Sequence, residues 1–247
     1  MSLLEVEPQW MAYAFIVLPI ATVPLWFPRF AAAFASAQNI WLGFIGGIAL
    51  SYVAIYMLPK LTVMTLKAKA QWPDMNPMLH AGPYLILLSG ILSYLLIDRL
   101  NQVSSSSGQR VGRYLEYAVH GTYGFLAAYV AVELPRPALA GHVLVSFILV
   151  LHMMGMSNLL LHRRPQGYTG ARWLLVPLIA AGGIVALVTE LPRVVINTTT
   201  AYLCGIIFVN VIAEELPLGH KRRFWWFCSG VGSFLIVGTV LGMYYRY

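Results

Sequence analysis

At 247 residues, 59% hydrophobic and only 10% charged, the chain carries far less charge than the roughly 25% usual in soluble domains, which excludes a water-soluble globular protein. The net charge of +7 is not a nucleic-acid signal, because the Lys and Arg residues lie mostly between apolar stretches, where they meet lipid headgroups; no nucleic-acid partner is expected. Cys204 and Cys228 both lie in apolar stretches and form no CxxC motif, which excludes a disulfide framework.

The first apolar run, 11–27, follows Glu5 and Glu7 with no basic stretch before it, so a retained helix is expected in place of a cleaved signal. Pro19, Pro24 and Pro28 interrupt it; each removes a backbone hydrogen bond, and a kink is expected. The second run, 39–58, ends at Leu58-Pro59. The connection 60–80, with Trp72, Pro73 and Pro77, is expected to lie along the interface as a short helix and a turn. After the third run, 81–97, the residues from Asn101 to Gly108 are Ser-rich and read as a flexible linker. Runs at 114–134, 140–161, 173–191, 198–216 and 224–245 follow. Phe224, Trp225 and Trp226, directly after Lys221-Arg222-Arg223, read as an interface anchor. The fold class is therefore all-α integral membrane: one transmembrane domain over 1–247, with eight crossings that need about 20 residues each.

Eight crossings place both termini on one side. The connections after spans 1, 3, 5 and 7 hold ten basic residues: Arg29, Arg99, Arg110, Arg113, Arg163, Arg164, Arg172, Lys221, Arg222 and Arg223. The other side holds six: Lys60, Lys67, Lys69, Arg136, Arg193 and Arg246. The positive-inside rule then predicts non-cytoplasmic termini.

One segment occurs twice. Residues 47–59 read against 205–217 with Gly, Ile, Val, Leu and Pro recurring at one constant offset, which also pairs Pro19 with Pro177. An odd number of crossings separates the copies, so they point in opposite directions. Inverted repeats of this kind, here about 11–97 and 173–245 flanking central helices at about 114–161, are the usual architecture of secondary transporters.

Ionisable side chains within apolar spans are costly and point to function. Glu116 and His120 are one helical turn apart on span 4, so they share a face, and ExxxH is a workable spacing for two ligands of one metal. His152 lies mid-way along span 5, followed by Met153, Met154 and Met156, whose thioethers suit a soft ion or, more simply, fill gaps in packing. Asn158 is a weak oxygen donor further along span 5. On span 7, Asn210 and Glu214 share a face, with Glu215 adjacent; the first copy carries Tyr52, Tyr56 and Met57 there. Glu133, Glu190 and Glu215 each stand in a Glu-Leu-Pro triplet at a span end, where capping at the water interface accounts for them, and His80, His142, His162 and His220 lie near span ends and read as interfacial.

In topology the chain resembles the ZIP family of divalent-metal transporters: eight crossings, both termini outside, a variable loop after span 3, and spans 1–3 inverted against 6–8. In that family the second helix ends in a His-Leu-Leu-Pro type of motif; here Tyr56-Met57-Leu58-Pro59 lacks the His. The seventh helix carries a Glu before Leu-Pro, which Glu215-Leu216-Pro217 resembles. On the fourth, His120-Gly121-Thr122-Tyr123-Gly124 keeps the His and a Gly of a His-Asn/Ser-x-x-Asp-Gly motif but has no Asp. On the fifth, His152-Met153-Met154-Gly155 keeps only the His of His-Glu-x-Pro.

The resemblance implies a 3+2+3 fold. It also implies transport of a divalent metal ion, zinc, iron or similar, as substrate, with no organic cofactor. His120, His152 and Glu116 would be the metal residues, with Asn158, Asn210, Glu214 and Glu215 along the path or around it. The departures preclude a binuclear site of the family's kind. Two other readings stay open. One is a ZIP-fold protein that does not transport and acts as a partner-binding subunit, as a homodimer or with another membrane protein. The other is a b-type haem electron carrier with His120 and His152 as axial ligands.

Overall fold

The computed structural model describes residues 9–74, 76–102, 106–133, 139–216 and 221–242. Among these residues the secondary structure is almost entirely helical, with no strand, and the fold is a bundle of long rods. Helix α1 covers 9–33, α2 covers Ala35–Gln71, α3 Gly82–Gln102, α4 Ser106–Glu133, α5 Leu139–Arg163, α6 Pro165–Val188, α7 193–215 and α8 Lys221–Gly242. Six of them, α1, α2, α3, α5, α6 and α7, are long and apolar enough to cross a membrane, so the chain is an integral membrane protein. Large apolar side chains point outward along these rods (Leu92, Leu96, Val188, Val194, Ile236), as a lipid-facing surface requires.

Three differences from the sequence expectations have local causes. The connection 60–80 is helical for most of its length and continuous with the second span. α2 runs on through Pro59 to Gln71 and a single-turn helix, Pro77–His80, follows. At 37 residues α2 is about 55 Å long, well beyond the roughly 30 Å of hydrocarbon. The Ser-rich linker is also shorter than expected: α3 reaches Gln102 and α4 begins at Ser106, leaving 103–105 outside the described residues. His80 and His142 are buried in protein; the ring Nε2 of His80 bonds the Trp72 carbonyl at 2.8 Å. His162 is exposed, and His220 lies outside the described residues.

Three Leu-Pro pairs are each preceded by a widened turn. π-helical turns at Tyr13–Val17, Tyr52–Met57 and Val211–Glu215 each stand directly before a Leu-Pro pair, Leu18-Pro19, Leu58-Pro59 and Leu216-Pro217. In each, the Leu N–H reaches five residues back, to the carbonyl of Tyr13, Val53 or Val211. A proline removes one donor and crowds the carbonyl four residues earlier; the wider turn moves that carbonyl aside.

Close helix pairs are made where glycine removes the side chain. α2 packs on α8 through Gly47, which faces the backbone of Phe227 and Val231, and through Gly230, which faces the backbone of Phe44 and Ile48. α7 packs on α3 through Gly205, which faces the backbone of Leu87 and Ile91, and through Gly90, which faces the backbone of Tyr202 and Ile206. Without a hydrophobic drive between rods in lipid, such close backbone contact is a main source of association. α6 packs on α4 in the same way, Gly182 against the Phe125 backbone, and α1 lies across α5 and α6. The central core gathers Ile16, Ile20 and Phe27 of α1 with Val53, Ala128, Ile179 and Val211.

Candidate functional site

α2, α4, α5 and α7 surround a narrow cavity of about 40 Å3, lined by Tyr52, Tyr56 and Lys60 of α2, Tyr123 and Ala127 of α4, Leu149 of α5 and Thr200 of α7. That is room for one or a few waters. At its floor the Tyr123 ring lies against the His152 ring, with centroids 5.3 Å apart. The lining runs from the α2 side of Lys60 and the α4 side of Ala131 inward to Tyr123, so the cavity belongs to one end of the bundle.

His152 and His120 lie beyond that floor, and both are buried. They stand on different helices, and Tyr123, whose ring meets His152, lies one helical turn from His120 on the same face of α4. Neither nitrogen of His152 makes a hydrogen bond. The Nδ1 of His120 bonds the Glu116 carbonyl at 2.7 Å. A carbonyl only accepts, so Nδ1 carries the proton and Nε2 keeps its lone pair. That Nε2 is also buried without a hydrogen bond. Buried polar atoms are nearly always satisfied, so three unsatisfied imidazole nitrogens in one region call for a ligand or a proton to account for them.

The opposite end of the core holds an ionic network. Glu116, 1% exposed, meets the Arg164 Nε at 3.3 Å and an Arg163 nitrogen at 3.7 Å. Arg163 also reaches Asp98 of α3 at 2.8 Å and lies over the Tyr94 ring, 5.9 Å from its centroid. α3, α4 and the α5–α6 junction are thereby tied together.

The sequence-derived site residues therefore separate. His120 and His152 share the buried centre. The Glu116 carboxylate is engaged by two arginines, and only its backbone carbonyl serves His120. Asn158 lies further along α5, where its carbonyl accepts from His162 Nδ1. Asn210 is buried at the start of the π turn of α7. The side chains of Glu214 and Glu215 lie outside the described residues. Among the described residues no three His, Cys, Asp or Glu side chains gather as a metal-holding cluster.

Arg163, Arg164, Asp98 and Tyr123 were not singled out from the sequence. The two arginines stand at a span end, where headgroups explain them; the signal pointing inward was Asp98, an acid one turn before the end of α3.

No protein-family model, no curated protein and no solved structure matches the chain.

Proposed function

We propose that the chain is a ZIP-like membrane transporter of a metal ion. It crosses the bilayer eight times with both termini outside the cytoplasm and moves its cargo by rocking the α1–α3 and α6–α8 units about the central helices. The observation that carries this reading is the duplicated seam. Gly47, Phe44 and Ile48 on α2 stand at the offset of the sequence repeat from Gly205, Tyr202 and Ile206 on α7, and each triplet makes the same contacts with its partner rod. The helix pairing follows the same exchange: α2 with α8 corresponds to α7 with α3, and α4 with α6 to α5 with α1. Two halves with one packing solution are what alternating access by an inverted repeat requires.

Within this reading the two ends of the core have different tasks. The tyrosine-lined cavity is the open approach. The Asp98–Arg163–Glu116–Arg164 network is the closed gate at the cytoplasmic end, and His120 and His152 between them hold the cargo.

The test is metal flux into proteoliposomes followed with trapped indicators for zinc, iron(II) and a monovalent soft ion. Uptake of one of them, lost in His152→Ala, is the expected result. If no metal moves or is retained, transport is ruled out and the non-transporting subunit reading takes its place, to be pursued by cross-linking to membrane partners or to a second copy.

A further inference from the structure

Resting on the metal-transport reading, we infer that the cargo is a monovalent, soft d10 cation, copper(I) or an ion like it, and not a divalent one. The argument is one of charge and donor type.

His120 and His152 offer neutral nitrogens. Met156 stands one helical turn from His152 on the same face of α5, is 3% exposed, and adds a neutral thioether. Imidazole and thioether together favour copper(I), which is content with two or three such ligands. Zinc sites use three or four protein ligands and commonly a carboxylate or thiolate among them.

Among the described residues, the charges around the pair bring no compensation for a second positive charge. Asp98 and Glu116 are matched by Arg163 and Arg164, so the network carries no net charge toward the centre, and Lys60 lines the approach from the other end. Among the described residues no further acid joins the histidines as a ligand cluster. The cost of burying an ion rises with the square of its charge, so a divalent ion meets about four times the penalty of a monovalent one in the same cavity. His152, unbonded at both nitrogens, and His120, with its free Nε2, can meet a low-coordinate ion with no bond to break first.

The test uses purified full-length protein in detergent with Cys204→Ala and Cys228→Ser, so that thiols do not capture the probe. Silver(I) nitrate stands in for copper(I) because it does not change oxidation state, and zinc sulfate is the divalent probe. Each is equilibrated by dialysis and the bound metal counted by elemental analysis. The expected outcome is one silver per chain, binding at least tenfold weaker in His152→Gln and measurably weaker in Met156→Leu, a volume-conserving change, with no zinc retained. Thermal unfolding confirms that both variants are folded. Retention of one zinc per chain, lost in His152→Gln, overturns the monovalent inference while leaving metal transport standing. Silver binding unchanged in both variants places the ion elsewhere and also overturns it. Retention of neither metal removes the inference and the transport reading together.

Discussion

The two copies of the repeat agree up to their last residue and then part. Gly47 through Leu58 and Gly205 through Leu216 each begin with a glycine seam, pass into a π turn and close it with the Leu amide on the carbonyl five residues back. Leu58 then takes helical angles, φ −63° and ψ −45°, and α2 continues through Pro59 for another three turns. Leu216 takes φ −60° and ψ 133°, and the rod ends. A residue before proline is biased toward the extended region, so α7 takes the locally preferred course and α2 overrides it. The override has a visible source: the continuing α2 is held by α3, where Thr62 and the Tyr84 hydroxyl share a hydrogen bond of 2.7 Å. The lesson is that Leu-Pro sets where a widened turn is needed, while the neighbours decide whether the helix survives it.

The seams give the hardest test of this equivalence. Gly47→Leu and Gly205→Leu each drive a side chain into the backbone of the facing rod, and each is expected to cost more than about 3 kcal/mol. Size-exclusion profiles and thermal unfolding in detergent should show both variants aggregated or melted far below wild type. Tolerance at one seam and collapse at the other would break the comparison between the halves.

A smaller effect is expected in the ionic network around Glu116. Arg163→Ala removes one of the two arginines that meet the buried Glu116 and the ion-pair partner of Asp98, a loss of about 2 kcal/mol. Combining it with Glu116→Gln should recover part of that loss, because the uncompensated carboxylate goes with it. A double-mutant cycle by thermal unfolding checks this, and strict additivity of the two changes would show that the residues of the ionic network do not act together.

At the point where the copies part, Pro59→Ala should raise stability by about 1 kcal/mol, because the helix already continues there and regains a donor. A drop in unfolding temperature would mean that α2 needs its π turn for packing. The smallest effects fall on α8. Gly232→Ala meets nothing within 4 Å and should be neutral or stabilising by up to about 1 kcal/mol, whereas Gly230→Ala, two residues away, meets the Phe44 backbone and should destabilise. Equal behaviour of the two would remove the α2–α8 seam from the account.

Much of the fold could be read from the chain because its cause is local or compositional. Apolar runs of bilayer length place the rods, and their ends were misjudged only where a helix outlasts its apolar stretch, as at Gln71 and Ser106. The recurrence of Gly47 and Gly205 was legible as a pattern. Its meaning as a backbone contact needed the facing rods, since no periodicity says which helix lies opposite. The site was half legible. His120 and His152 stand out as imidazoles in apolar spans, and both are found buried at the centre. Glu116 looked like a ligand because a four-residue spacing is a fact of one helix, but two arginines from another part of the chain engage its carboxylate.

Sequence by itself determined that this is an integral membrane protein of long helices. This follows from transfer energy and residue identity. The tertiary structure alone decided which rods press together at glycine, which charges neutralise one another, and that the two central imidazoles are left without hydrogen-bond partners, because each depends on side chains brought together from distant parts of the chain.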